Sequence, residues 1–270
     1  MPSCFSAKNM RPSVKLIVNA DDGNLTPGVT KGVLAAHDTG ILTSTTIFAN
    51  LPLTKQLKED FSRRSNLGVG IHLNITLGSP VAPKSDVRSL LAGDRFGKHD
   101  EDFFKRIDKK ALYVEYKAQI ENFEEWFGKP PTHIDTHHHL HRFQTVFDVF
   151  IELAEEFAVP FRLSECVNFP VRQRFEKRGI ILADHLIPDI DPFPHFRKAR
   201  LREVLNALPE GVVELMTHPA VVDEELKRIS SFVEPRADEL EALSDRSLHS
   251  LLTNANIELT HYGLLNARRV

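Results

Sequence analysis

Short apolar, β-branched runs alternate with segments of helical spacing along this chain, and the alternation restricts the fold more than any single motif does. Val14–Ala20 reads VKLIVNA and ends at Asp21-Asp22-Gly23. Pro27–Thr39 then places Val29, Val33, Leu34 and His37 at helical intervals and closes on Gly40, a common helix stop. Further strands are expected at 43–49, 66–73, 132–136, 160–163, 180–186, 212–216 and 256–259, and helices at 100–127, 145–157, 195–208 and 236–253. Strand-then-helix order implies parallel strands joined by right-handed crossovers. Eight candidate strands favour a TIM-barrel-like (β/α) barrel over an open doubly wound sheet. The stretch 74–98, rich in Gly, Pro and Ser, is too long for a simple connection and has the character of a lid or binding loop. The α/β barrel is therefore expected to be distorted or incomplete.

No linker, repeat or low-complexity stretch divides the chain. Residues 14–270 read as a single domain, preceded by an N-terminal extension, 1–13, expected to be flexible. A length of 270 residues, 41% of them hydrophobic, suffices for one such barrel. The net charge of −3 leaves no electrostatic footprint for nucleic acid. No apolar run approaches the ~18 residues of a membrane helix, so neither nucleic acid nor membrane is an expected partner. The start, MPSCFSAKNMRPS, lacks the apolar core of a signal peptide. Cys4 and Cys166 are too few for a disulfide framework and lack zinc-finger spacing, and Cys166 reads as a small filler. A cytoplasmic location is expected.

Reactive side chains gather where the strands end. From Pro131 to Arg142 the chain reads P-T-H-I-D-T-H-H-H-L-H-R, which packs five of its 13 histidines and one aspartate into nine positions. Imidazole is the commonest protein ligand for transition metals. In α/β barrels the active site lies at the carboxyl ends of the strands. Asp21 and Asp22 follow the first strand, His72 ends the third, His137 to His141 follow the fourth, and His218 follows a late one. That convergence points to a metal-dependent hydrolytic site.

Each residue also has a structural reading. Adjacent aspartates on an extended backbone point to opposite faces, so Asp21 and Asp22 need a turn to reach one rim. Asp22 is too early to cap the helix at Pro27, for which Thr26 is the better cap. His72 alone would read as a core histidine. Alternation puts His133, Asp135 and His137 on one strand face, yet a divalent centre needs only three or four protein groups and an open position. One or two of the five clustered histidines are expected as ligands, with the others orienting them. Glu214 shares a strand face with His218, either buried beneath the site or exposed on a frayed strand. His37, His195, His249 and His261 read as structural or surface groups, Tyr113 and Trp126 as core, and the charges of 100–110 as a solvated face.

I-V-N-A-D-D, T-S-T-T, G-I-H-L-N, P-T-H-I-D-T-H-H-H-L-H and V-E-L-M-T-H-P-A occur in that order between Ile17 and Ala220. Together they resemble the YdjC-like carbohydrate deacetylase family, whose best-understood members are chitooligosaccharide deacetylases. The closing F-V-E-P-R-A-D-E-L-E-A-L resembles the family's C-terminal segment, so most of the chain is covered. The resemblance implies a distorted (β/α) barrel, often a homodimer, that removes the N-acetyl group from an amino sugar or chitooligosaccharide. It implies one divalent metal ion, Mg2+ or Zn2+ foremost, held by Asp22, His72 and His137. It makes Asp21 the general base and His218 the general acid, and sets Arg162 near the small carbohydrate substrate. One departure stands out: the family's usual Phe-Gly after the aspartate pair is Gly23-Asn24 here. Two rivals remain: another metallohydrolase on this fold (an amidohydrolase or a phosphoesterase), and a non-catalytic sugar- or metal-binding relative. His139-Leu140-His141 imitates the H-x-H of amidohydrolases, although theirs ends the first strand.

Overall fold

Every pairing in the main sheet is parallel, as the strand-then-helix order requires. The structure is a computed structural model and describes residues 14–163, 169–188 and 195–266. The N-terminal extension 1–13, Cys4 and Cys166 lie outside the described residues. The chain opens with β1 (Val14–Ala20), α1 (Pro27–Thr39), β2 (Ser44–Ile47), α2 (Lys55–Ser62) and β3 (Gly68–Leu73). A small antiparallel hairpin, β4 (Leu91–Ala92) and β5 (Arg95–Phe96), lies in the long connection to α3 (Glu101–Lys105) and α4 (Lys109–Phe127). There follow β6 (Ile134–Thr136), a 3-10 segment at His137–Arg142, α5 (Gln144–Glu156), α6 (Phe169–Lys177) and β7 (His185–Ile187). The described chain ends with α7 (Lys198–Asn206), β8 (Gly211–Thr217), α8 (Glu224–Ile229), α9 (Glu234–Leu243), α10 (Ser247–Asn254), β9 (Ile257–Thr260) and α11 (Tyr262–Asn266).

The seven-stranded sheet runs β6-β3-β2-β1-β8-β7, and β9 also pairs with β1. β8 follows β1 along its whole length, so β9 and β2 share the other edge: Ile17 is the last partner of β9, and Asn19 the first of β2. That shared edge is the distortion. Beyond β6, Phe161 forms a single parallel bridge with Ile134. In a flat sheet the four steps from there to β1 would span roughly 19 Å at strand spacing. Yet the Arg162 guanidinium lies 2.6 Å from the Asp21 carboxylate at the end of β1. The sheet is therefore curled into a distorted (β/α) barrel. Among the described residues no pairing joins β7 to the Phe161 edge.

Strand alternation sorts two interiors. Leu16, Val18 and Ala20 face outward into the helix-packed core with Val69, Ile71, Val213 and Leu215. Full burial of each large aliphatic side chain contributes about 1.5–3 kcal/mol. Inside the curl the strands carry polar groups instead: Asn19, Thr46, His72, His133, Asp135 and Glu214, all at most 1% exposed. Gly70 makes room there, because a Cβ on it would sit 2.4 Å from His133 Nδ1. Caps fix the helix that follows β1: Thr26 accepts from the Val29 amide, Pro27 opens the first turn, and Gly40 closes the last.

Several expected elements shift. The strand at 160–163 is only the Phe161 bridge, and the one at 180–186 begins at His185. The helix expected over 236–253 is two, α9 and α10, parted at residues 244–246, where the Asp245 carboxylate accepts from the Ser247 amide. Likewise 100–127 divides at Asp108, whose side chain caps α4. Tyr113 and Trp126 pack half-buried against the core, as expected, and Tyr113 donates to Glu156.

Candidate functional site

Asp21 and Asp22 reach the same rim because Asp22 takes a left-handed backbone, φ 64°. That region costs a non-glycine residue roughly 1–2 kcal/mol, aspartate being among the more tolerant. The turn is held from both sides, with the Asp21 amide donating to Thr217 O and the Gly23 amide to Thr46 O. After β6 the chain does something similar, with His138 at φ 57° and His139 at φ 52°. These two residues break the strand direction and spread the histidines into different surroundings.

Three of the expected residues then meet. Asp22 Oδ1 lies 3.4 Å from His72 Nε2 and 3.2 Å from His137 Nδ1, and the two imidazole nitrogens are 3.2 Å apart. Asp22 Oδ1 is buried and accepts no hydrogen bond. A buried carboxylate oxygen without a donor is costly, and two imidazole nitrogens aimed at it complete a three-donor set of N and O type. These residues therefore fit a divalent cation with open positions left for water. Phe48 packs edge-on against both imidazoles, at 5.1 Å from each ring.

Partners beneath the rim orient this set. Asp135 Oδ1 is 2.6 Å from His72 Nδ1, and Oδ2 accepts from Thr46 Oγ1. Burial works against a charged His72, but Asp135, with help from Asp22 and Asp21, raises it to about 10. Arg236, on α9, donates from Nη2 to Asp22 Oδ2 at 2.6 Å. Burial disfavours the Asp22 charge, yet Arg236 and His137 hold its carboxyl well below the usual range.

Arg162 is the centre of a second network. It is fully buried and grips both oxygens of Asp21 at 2.6 and 2.7 Å. It also contacts Asp135 Oδ2 at 3.0 Å and donates to Glu214 Oε1 at 2.8 Å. Glu214 is fully buried rather than frayed, and its other oxygen accepts from Tyr262. Against the cost of burial, Arg162 keeps the Asp21 carboxyl far below its ordinary range. A second donor group, Asp21, His72 and Asp135, also lies within metal-binding distance. Arg162 already supplies a cation to both of those carboxylates, so the open centre is the first one.

A cavity of about 930 Å3 opens above. Asp21, Asp22, His72, His137 and His218 all line it, and Arg162 does not. Arg162, expected near the substrate, has its donors on carboxylates below the rim. His218 Nε2 stands 3.9 Å from Asp21 Oδ2. Burial pushes His218 down to about 4, against the pull of Asp21. Glu239 accepts from the His218 amide at 2.5 Å and fixes the turn that carries the ring.

The remaining histidines part company. His133 is fully buried with its ring stacked on Tyr262, away from the three-donor set. His138 stacks on His137, His139 Nε2 lies 2.9 Å from Met216 Sδ, and His141 Nδ1 is 2.6 Å from Thr136 Oγ1. Burial lowers His138 to about 3 and His139 to about 4. His37, His195, His249 and His261 do not line the cavity. The sequence left Asp135, Arg236, Phe48 and Glu239 without roles. Strand alternation marked Asp135, and the V-E-P-R-A-D-E run carried Arg236 and Glu239.

A curled parallel sheet with reactive groups from separate strand ends on one rim is the layout of a barrel enzyme. The family described as YdjC-like protein matches residues 15–254, and the chain belongs to it. A carbohydrate deacetylase of Thermoanaerobacter pseudethanolicus is 33% identical over 93% of this chain and 98% of its own. A chitooligosaccharide deacetylase of Proteus mirabilis is 32% identical over 92% and 97%. The crystal structure of an Enterococcus faecalis protein, named in connection with cellobiose-phosphate cleavage, superposes with a TM-score of 0.79. It is 28% identical and covers 94% of this chain and 99% of that one. The family read from the motifs is borne out, and with it the reading of the chain as a hydrolase. No helix among the described residues is long and apolar enough to cross a membrane.

Proposed function

We propose that this protein is a metal-dependent carbohydrate deacetylase that hydrolyses the N-acetyl amide of an amino sugar or chitooligosaccharide. The observation that carries the reading is that Asp22, His72 and His137 bring three donor atoms together while the Asp21–His218 pair, 3.9 Å apart, lines the same cavity. One carboxylate and two imidazoles suit Zn2+ and its neighbours in the series, with Mg2+ the alternative that the family resemblance offers. When bound, the ion supplies Lewis acidity for the amide carbonyl and lowers the pKa of a water.

The chain's own residues carry the protons. Asp21, kept ionised by Arg162, accepts a proton from the attacking water as the oxygen–carbon bond forms. His218 starts neutral, given its depressed pKa, and its Nε2 is 3.9 Å from Asp21 Oδ2. It is the more basic next stop for that proton. His218 then protonates the leaving nitrogen as the carbon–nitrogen bond breaks, releasing acetate and a free amine. Positioned proton transfers of this kind contribute about 10²–10⁴-fold each. Arg162 holds Asp21 in place and does not touch the sugar. A cytoplasmic homodimer belongs to the same proposal, supported by the cysteine usage and by the family resemblance.

The test is a screen of acetylated amino sugars and chitooligosaccharides for released acetate, with protein treated with chelator and then reloaded with single metals. Acetate release that chelation abolishes and Zn2+ or Mg2+ restores is the expected result. No release from any acetylated glycan with any metal overturns the proposal.

A further inference from the structure

The C-terminal F-V-E-P-R-A-D-E run has no part in the chemistry above, yet α9 sends Arg236 from it to the floor of the cavity. The guanidinium is anchored on three sides. Nε donates to Phe232 O at 2.9 Å, the ring of Phe232 lies 5.7 Å away, and Nη2 donates to Asp22 Oδ2 at 2.6 Å. The Arg236 backbone is fixed as well, its carbonyl accepting from the Ala220 amide just past β8. The side chain is 5% exposed. A fork held this way has little freedom to follow the carboxylate, so the carboxylate must follow the fork.

The two oxygens of Asp22 consequently face different partners. Oδ2 is taken by the arginine, while Oδ1, buried and without a donor, faces His72 Nε2 and His137 Nδ1. We infer that Arg236 is a positioning residue that restricts Asp22 to binding a metal through one oxygen, and so sets how many positions stay open at the centre. A carboxylate can bind a cation through one oxygen or both. With both oxygens engaged, the same three residues would fill one more coordination position and leave fewer for water and substrate. Arg236 thereby also bears on which ions the site accepts, because coordination number is a main ground of metal selectivity. The inference rests on the metal-site part of the function proposed above, but not on the substrate.

Two measurements test it. A crystal structure of the Zn2+-loaded wild-type protein is expected to show Asp22 bound through Oδ1 alone, with Oδ2 still on Arg236. Both oxygens on the ion overturn the inference, as does a site that takes up no metal. The second compares Co2+-loaded wild type with Arg236→Lys and Arg236→Met by visible absorption and metal titration. Arg236→Met is expected to lose absorption intensity, the mark of a higher coordination number, and to change its metal dissociation constant about tenfold. Arg236→Lys, which keeps the charge but not the fork, is expected to fall between. A spectrum and an affinity unchanged within twofold in Arg236→Lys and Arg236→Met overturn it. Should Arg236→Met not fold, Arg236→Lys and the wild-type structure still decide. A protein that binds metal through one Asp22 oxygen and deacetylates nothing would sink the proposed activity and leave this inference standing.

Discussion

Asp135 Oδ1 lies 2.6 Å from Nδ1 of His72, which leaves Nε2 as the nitrogen turned toward Asp22 and His137. A carboxylate on the far nitrogen fixes both the ring orientation and which nitrogen is free to bind. Asp135→Asn keeps the shape but loses the anionic acceptor, and Asp135→Ala loses both. Metal affinity is expected to fall about 10–100-fold in the alanine variant, with the asparagine variant less affected. Isothermal titration with Zn2+ checks this. Wild-type affinity in Asp135→Ala would mean that Asp135 does not orient the ligand.

Arg162 balances three buried carboxylates, Asp21, Asp135 and Glu214. Breaking a buried ion network from one side leaves uncompensated charge and typically costs about 3–5 kcal/mol. Arg162→Met is therefore expected to drop the melting temperature by many degrees or to prevent folding. The double variant Arg162→Met with Glu214→Gln should recover part of that loss. Equal stability of Arg162→Met and wild type in urea titration would contradict the role.

Glycine at position 23 has a local physical cause. A Cβ on Gly23 would lie 2.5 Å from Thr45 Oγ1 and 3.1 Å from Thr46 O, so this backbone has no room for an aromatic. Asn24 instead uses its amide to pair with both backbone groups of Phe48, at 2.7 and 3.0 Å. The Phe48 ring, in turn, braces His72 and His137. Asn24→Ala is expected to cost about 1–3 kcal/mol by leaving the Phe48 amide and carbonyl unpaired. Phe48→Leu should weaken metal binding several-fold with little loss of stability. A Phe48→Leu variant that loses stability but not metal affinity would make the ring a packing group only.

The acid side of the stability curve follows in part from buried histidines outside the three-donor set. Burial pushes His133 down to about 3 and His261 to about 4, whereas in the unfolded chain both titrate near ~6.5. As pH falls below that value the unfolded state binds protons that the folded state refuses, so stability declines. Glu239 acts oppositely: burial raises it to about 7, so its contribution is present at low pH and lost as pH rises through 7. A tenfold change in proton affinity is worth about 1.4 kcal/mol, and these two histidines, joined by His138, His139 and His218, outweigh one glutamate. Denaturant titrations of metal-free protein at pH 7 and pH 5 should show the lower stability at pH 5. A flat or rising curve toward pH 5 would contradict the burial of these histidines as a set.

How far the sequence could be read depends on the range of the contacts involved. Strand ends are local features, so Asp21, Asp22, His72, His137 and His218 could be gathered on one rim from the sequence alone. The parallel order followed from the same alternation. Arg162 could not be placed below the rim, because its bonds to Asp21 and Glu214 cross the barrel and exist only once the sheet curls. Arg236 meets Asp22 across 214 positions of sequence, with nothing local to announce it. The short helix α2, KQLKEDFS, escaped notice because its apolar stripe is a single i,i+4 pair, Leu57 and Phe61, too short to stand out.

His218 faces Asp21 across 3.9 Å, and both line the cavity that the three-donor set also lines. Its place in the proposed reaction is the delivery of a proton to the leaving nitrogen, which departs as an amine and not as an amide anion. His218→Ala should therefore leave metal affinity within about twofold of wild type and depress turnover of N-acetyl amides by about 10²–10⁴-fold. An activated acetate ester, whose leaving group departs without a proton, should lose far less. The pH profile is constrained as well. A histidine held near 4 is neutral throughout the neutral range, so its ionisation should produce no alkaline fall in amide hydrolysis between pH 7 and 8. Equal losses on amide and ester would make His218 a positioning or oxyanion-binding group. A fall in amide hydrolysis near pH 7 that vanishes in His218→Ala would show that the imidazolium is the form that starts the reaction.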